Sequence, residues 1–352
     1  MNYMEIGCKI ESIGIKYPET RMATSEILGR LNVPKVPKLE LLTGIKNRRV
    51  CGEDEDSLTL AVDAITDCLN YSQYKVEDIE MIIYCSISKY VNGLTHYYEP
   101  PMSIMIKQKI GNNHALNFDL SNACAGMITG AQLADDFISR GVVKNCLVVS
   151  GEYITSISNN AEKNITSTQH LELASLTVGD AGAAVIFSGT ESEEEKILVA
   201  DMVTLSEFSH LCVGKQASYQ PGGSMKTYMK KIHSASIKHA PLLIERSLKK
   251  AGLRMKDIDY LIPHQTAKQS IHSGAKAFAQ YFGEEPGEVL VNLEDTGNTA
   301  STTHFATLYK YLKSKFFKEG DKIMLLSFAS GLVIGTMIFT FHDIISKYGN
   351  DH

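Results

Sequence analysis

Val76-Glu77-Asp78-Ile79-Glu80-Met81-Ile82-Ile83-Tyr84-Cys85 lies over Met255-Lys256-Asp257-Ile258-Asp259-Tyr260-Leu261-Ile262-Pro263-His264, each an acidic turn leading into an apolar run. Outward from that pair, Asn117-Phe118-Asp119-Leu120 up to Cys124 lies over Val291-Asn292-Leu293-Glu294 up to Asn298, and both stretches open a helical pattern. Asn145-Cys146-Leu147-Val148-Val149-Ser150 then matches Lys322-Ile323-Met324-Leu325-Leu326-Ser327. One such match is within the reach of chance; three in the same order argue for a duplicated β/α unit. The expected fold is therefore α/β with two halves, residues 1–190 carrying a nucleophilic cysteine and 191–352 carrying a histidine and an asparagine. Unlike residues at like positions are where chemistry is to be sought.

The chain has 352 residues, of which 44% are apolar and 21% charged, an ordinary globular balance with material for a large core. Its seven cysteines are odd in number, form no Cys-x-x-Cys pair and follow no N-terminal signal segment, so a reduced cytoplasmic compartment is expected and disulfides are not. The longest apolar stretch, 323–339, is broken by Ser327, Ser330, Gly331 and Gly335. It reads as two buried strands joined at Ala329-Ser330-Gly331 rather than as a membrane span. A net charge of −5 argues against nucleic acid as the main partner. Against that background the segment from Lys226 to Lys256 holds nine basic residues, among them Lys249, Lys250 and Arg254, and only Glu245 opposes them. It is either a solvated helix face or a docking surface for an acidic or phosphorylated partner.

Periodicity predicts a strand near Glu5–Ile13, a loop at Pro34 and Pro37, a helix over 58–69 and a strand over 80–86. It continues with a helix over 102–110, a strand near 115–119, a helix from Cys124 to about Ser139 and a buried strand at 146–150. Gly179-Asp180-Ala181-Gly182 turns into another strand, and Glu191–Glu195 reads as an exposed acidic hairpin tip. The aperiodic stretch Ser206–Ser224 is expected to be a long loop over the site.

Cys124 stands where an apolar strand gives way to a helix of small residues. A thiol there feels the positive end of the helix dipole, which favours thiolate and attack on a thioester carbonyl. The competing reading is an inert core cysteine. His264 closes an apolar strand, where histidine is usually structural, and Asn298 after Gly297 could be a helix cap. The duplication places all three at strand ends, where open α/β sheets gather their ligands.

At this point the chain resembles the ketoacyl-acyl-carrier-protein synthase III enzymes of the thiolase superfamily. The resemblance runs through Thr43-Gly44-Ile45 with Arg48, Ala123-Cys124-Ala125-Gly126, Gly179-Asp180-Ala181-Gly182-Ala183, Pro263-His264-Gln265, Gly297-Asn298-Thr299 and Ser327-Phe328-Ala329-Ser330-Gly331. It implies a thiolase-like stack of αβαβα layers, a homodimer, and condensation of coenzyme A or carrier-protein thioesters with no metal or redox cofactor. It also implies that Cys124 carries an acyl group and that His264 and Asn298 hold the second thioester's carbonyl. The N–H groups of Cys124 and Ser330 would form an oxyanion hole, worth roughly 3 kcal/mol in the barrier. Arg48, Lys249, Lys250, Arg254 and Lys268 are the candidates for substrate binding.

The departures are informative. Ala329-Ser330-Gly331 replaces the usual glycines, Gln269 with Lys268 beside it replaces the usual arginine, and the chain has no tryptophan. Glu99 stands before Pro100-Pro101-Met102 where the family shows threonine or a similar residue. Relatives that join two acyl chains are similar in placing a glutamate there, reaching the partner subunit's cysteine, and a carboxylate so placed would serve as a base; the alternative is an exposed loop glutamate. The expected activity is thus a Claisen condensation of two acyl thioesters in a specialised lipid or polyketide-like pathway. Its rivals are the synthase that starts fatty-acid synthesis from acetyl-coenzyme A and malonyl carrier protein, a papain-like hydrolase with the same Cys, His, Asn order, and a non-catalytic partner subunit of the same fold.

Overall fold

The computed structural model describes residues 6–348. Its ten principal strands form two five-stranded sheets. The first holds β1 (Gly7–Lys16), β2 (Met81–Tyr84), β3 (Leu116–Asp119), β4 (Asn145–Glu152) and β5 (Ala181–Thr190), in the order β1-β5-β4-β2-β3. The second holds β6 (Ile197–Thr204), β9 (Tyr260–Pro263), β10 (Glu288–Val289), β11 (Lys322–Ala329) and β12 (Val333–Thr340), in the order β6-β12-β11-β9-β10. Between β6 and β9 run two short strands, β7 (Cys212–Gln216) and β8 (Gly223–Thr227). Each sheet joins two antiparallel pairings to two parallel ones in the same succession.

Each sheet is covered on both faces, which explains the uninterrupted apolar runs of its inner strands. Helices α1 (Ser57–Asn70) and α2 (Met102–Ile110) cover the outside of the first sheet. Asp56 starts α1 by accepting the N–H groups of Leu58 and Thr59, both at 2.9 Å, and Leu58, Ala61, Ile65 and Cys68 then recur at helical spacing on its buried face. Helices α4 (Met229–Ala251) and α5 (Lys268–Phe282) cover the outside of the second sheet. Between the sheets lie α3 (Gly126–Ser139) and α6 (Thr303–Lys313), whose Ile128, Ile138, Phe305 and Leu308 share one core with Ile83, Val148, Leu325 and Phe339. Each fully buried side chain of that size contributes about 1.5–3 kcal/mol. The layers are therefore αβαβα, as the resemblance implied.

Sheet register tests the sequence repeat residue by residue. Leu116 pairs with Met81 and Glu288 with Tyr260, whereas the sequence match placed Asn117 over Val291. The short helical turns Ala123–Ala125 and Ala300–Thr302 open α3 and α6, and each begins on an alanine at positive φ, +47° and +52°. The structural counterpart of Cys124 is thus Ser301, not Asn298. The two βα loops differ in length, so a match anchored on the strands drifts before it reaches the helices. The acidic tip at 191–195 connects β5 to β6, but Glu195 is drawn in by Lys9 at 2.6 Å. The segment 206–224 is a second correction. A helical turn at Ser206–Leu211 leads into a hairpin of β7 and β8, turned by Pro221-Gly222-Gly223; the strands are too short to show a period.

Candidate active site

Cys124 is delivered by the turn from β3 into α3. Ala123 takes the left-handed conformation there, which costs an alanine about 1–2 kcal/mol and is held by the packing on both sides. That turn aims Cys124 away from the sheet into a cavity of about 240 Å³, while Cys85 and Cys146 stay in the core. His264 follows β9 directly, its N–H bonded to the Leu326 carbonyl at 2.9 Å. The ring lies 5.7 Å from that of His304 on α6, which no pattern in the sequence announced. Asn298 is fixed by its backbone: its N–H donates to Thr177 at 2.9 Å and its carbonyl accepts from Gly179 at 3.0 Å. Its side-chain oxygen accepts the Ala300 N–H at 3.0 Å, so the amide Nδ2 is the end left to donate into the cavity.

Cys124, His264, Asn298 and Ser330 line this one cavity. Ser330 follows β11, with its hydroxyl donating to the Cys212 carbonyl at 2.6 Å, so the hairpin of β7 and β8 is tied to the site. The N–H of Cys124 lies in the first turn of a helical segment, where donors have no partner within the helix. Behind Cys124, the buried carboxylate of Glu152 accepts from the N–H groups of Ile87 and Ser88 and the hydroxyls of Ser88 and Ser301.

The remaining candidates fall elsewhere. Arg48, expected to touch substrate, is fully buried beneath the loop that carries Asn298: it donates to Thr24 Oγ1 at 2.6 Å and to the Leu176 carbonyl, and it supports the site from below. Burial lowers its pKa to about 10. Lys249 and Lys250 lie at the C-terminal end of α4, about 18 Å along the helix from the cavity-lining Ile237, and Arg254 lies beyond the helix. Lys250 pairs with Asp201 at 2.9 Å and Arg254 with Glu284, so their contacts are with the protein's own acids. Lys268 is exposed beside Ala267 and Ser270, which line the cavity. Glu99 is exposed on the segment before α2 and does not line its own chain's cavity. Gln269 reaches the Leu41 carbonyl at 3.2 Å, pinning the start of α5. Among the described residues no cluster of three or more His, Cys, Asp or Glu is arranged to hold a metal ion, and no helix is long and apolar enough to cross a membrane.

The electrostatics correct one expectation. Burial, with the Cys212 thiol and the Glu152 carboxylate adding to it, holds the Cys124 thiol well above its ordinary range. A helix dipole supplies about 0.3–1 kcal/mol, at most ~2, and does not outweigh that desolvation. Cys124 is therefore held as the thiol in the resting protein.

Burial, reinforced by His304, lowers His264 to about 3, and burial lowers His304 to about 4 against its hydrogen bond to Leu326. Both rings are neutral at pH 7, so His264 is available as a proton acceptor or as a neutral donor. Above the unfolded value of 6.5 neither ring makes stability depend on pH. Below it the unfolded chain takes up protons that the native state refuses, and stability falls as pH drops towards 4. Each ring contributes up to about 1.4 kcal/mol per pH unit. His304→Gln should lower the slope of stability against pH between pH 6 and 5, read from urea midpoints, by up to about 1.4 kcal/mol per pH unit. An unchanged slope in that variant would show that His304 is not the titrating group.

Known proteins can be set beside this geometry. Residues 118–206 match the family model for 3-oxoacyl-[acyl-carrier-protein] synthase III, and residues 248–341 match the model for its C-terminal part. The beta-ketoacyl-[acyl-carrier-protein] synthase III of Lactobacillus helveticus is 26% identical over 308 residues, covering 85% of this chain and 88% of its own. That of Clostridium acetobutylicum is 27% identical over 337 residues, covering 94% and 98%. Among solved structures, the Aquifex aeolicus 3-oxoacyl-[acyl-carrier-protein] synthase III superposes with a TM-score of 0.81 at 22% identity, covering 95% of this chain and 100% of that one. Xanthomonas campestris OleA, solved with bound lauric acid and lauroyl-CoA, gives 0.82 at 23% identity over 95% and 99%. At such identities the structures establish the shared thiolase-like fold.

Proposed function

Because this chain belongs to the 3-oxoacyl-[acyl-carrier-protein] synthase III family of condensing acyltransferases, we propose that it joins two acyl thioesters through an acyl group carried on Cys124. The observation that carries this reading is the convergence of Cys124, His264, Asn298 and Ser330 on one cavity. In the first half-reaction the Cys124 sulfur attacks a thioester carbonyl, and the N–H groups of Cys124 and Ser330 receive the oxyanion. The thiol proton reaches the departing thiolate through solvent in the cavity, leaving acyl-Cys124 and a free thiol. In the second half-reaction His264 and the Asn298 amide donate to the carbonyl of the incoming thioester. The α-carbon of that thioester gives up its proton to a base and attacks acyl-Cys124 as the enolate; a carbon–carbon bond forms, the carbon–sulfur bond breaks, and the Cys124 thiolate takes the proton back to restore the thiol.

Division of labour between the halves follows. We take the first, to residue 190, to bear the acyl group and the second, from 191, to activate its partner thioester. His264→Ala and Asn298→Ala should still acylate Cys124 while forming product some 100-fold or more slowly, as read by intact-protein mass and by product analysis. Full turnover by Asn298→Ala would overturn the scheme.

Substrates bound through coenzyme A or a carrier protein fit the exposed Lys268 near the cavity better than the distant Lys249, Lys250 and Arg254. Glu99 favours a non-decarboxylative reaction in a homodimer, each copy supplying the other's base, and hence a specialised lipid or polyketide-like pathway. The names of the curated relatives favour the fatty-acid-initiating synthase as the second reading. The peptidase reading falls with the family assignment.

A further inference from the structure

His304 is buried beside the reacting groups and takes no part in either half-reaction. It lies on α6 between the two sheets, fully buried, with its ring 5.7 Å from that of His264. Its Nε2 is 3.2 Å from the Leu326 carbonyl. A carbonyl only accepts, so Nε2 carries a proton and is the donor. Burial keeps the ring neutral at pH 7, and a neutral imidazole has one N–H, so Nδ1 is a bare lone pair.

The same carbonyl holds the backbone N–H of His264, at 2.9 Å. A carbonyl oxygen has two lone pairs, and here both are taken, one by the main chain of His264 and one by the side chain of His304. That occupancy decides where His264 keeps its own proton. His264 lines the cavity, yet its Nδ1 is buried and without a partner, so Nε2 is the nitrogen turned towards substrate. The Nδ1 of His304 is also without a partner, so the two Nδ1 atoms do not bond one another. A proton on Nδ1 of His264 would therefore be a buried donor with nothing to receive it, which proteins tolerate less than an idle lone pair. We propose that His304 is a positioning residue for the condensation: by filling the second lone pair of the Leu326 carbonyl it denies that acceptor to His264 Nδ1, and so keeps the His264 proton on Nε2, where it meets the carbonyl of the incoming thioester. This rests on the condensing reading above and deepens it, since the donor state of His264 becomes the work of a second histidine.

The test compares the wild type with His304→Leu, which frees the lone pair, and with His304→Gln, whose amide can donate to it. Two-bond proton–nitrogen NMR of isotope-labelled histidines reads the tautomer directly. His264 should carry its proton on Nε2 in the wild type and in His304→Gln, and shift towards Nδ1 in His304→Leu. All three proteins should acylate Cys124 at the same rate. Joining of two thioesters should fall in His304→Leu by on the order of 100-fold, the scale on which one positioned donor is felt, and most of that loss should be regained in His304→Gln. Equal losses in both half-reactions, or in both variants, would mean packing alone and overturn the proposal. An Nδ1 proton on His264 in the wild type would overturn it without any variant, should His304→Leu not fold. A tautomer that moves in His304→Leu, in a protein whose wild type forms no carbon–carbon bond, would keep the role of His304 and discard the condensation; lost condensation with the tautomer unmoved would discard the role of His304.

Discussion

Incubated with an acyl thioester, the wild-type protein is expected to gain the mass of one acyl group and Cys124→Ala none. Of the seven cysteines, Cys8, Cys68, Cys85 and Cys146 are buried in the core and out of reach of a thioester. Cys51 does not line the cavity, and burial, with the Asp180 carboxylate next, pushes its thiol well up. Cys212 is the discriminating control, because it shares the cavity with Cys124. It lies on a strand of the hairpin rather than at a helix start, so no first-turn N–H groups serve an oxyanion beside it. Product formation by Cys124→Ala should fall by on the order of 10⁴-fold or more, the scale on which loss of a covalent nucleophile is felt. The substitution removes one sulfur from a cavity wall and leaves the strained Ala123 turn intact, so unfolding does not mimic the result. A label that persists, or that is found on Cys212, would assign the nucleophile wrongly.

The reach of the sequence can be judged from particular residues. Apolar runs such as Met81–Tyr84 and the stretch 323–326 within β11 announced the central strands, because a strand covered on both faces needs no alternation. The helix over Met102–Ile110 was legible to the residue for the same kind of reason, with Pro101 before it and Gly111 after it. The Cys124 turn was legible as a site because a strand, a cysteine and small residues follow one another. What could not be read is what depends on the third dimension. His304 reaches His264 only because α6 is sandwiched between two sheets. Ser301 was hidden as the counterpart of Cys124 by the unequal loops, and Arg48, expected to bind substrate, lies instead with the Gly179 and Gly297 loops packed over it.

Glu99→Gln is expected to acylate Cys124 normally and yet fail to join two non-malonyl thioesters. A malonyl thioester makes its own nucleophile, because the bond to the departing carbon dioxide leaves its electron pair on the α-carbon. Any other acyl thioester must lose a proton from that carbon, and a positioned base is worth about 10²–10⁴-fold. Within its own chain Glu99 is exposed and away from the cavity, so a base role is expected to be exercised in a second copy's site. That geometry has a consequence that neither single variant shows. In a mixture of Cys124→Ala and Glu99→Gln copies, the mixed dimer carries one site with an intact cysteine on one copy and an intact glutamate from the other. With random pairing half the dimers are mixed and each holds one such site, so about a quarter of wild-type turnover should return from two inactive proteins. Recovery on mixing would locate the base across the subunit interface; its absence, with Glu99→Gln still inactive, would place Glu99 in its own chain's site. Full activity of Glu99→Gln, or a strict requirement of the wild type for a malonyl thioester, would instead make this chain the initiating synthase, in which the enolate comes from decarboxylation and position 99 is free to vary.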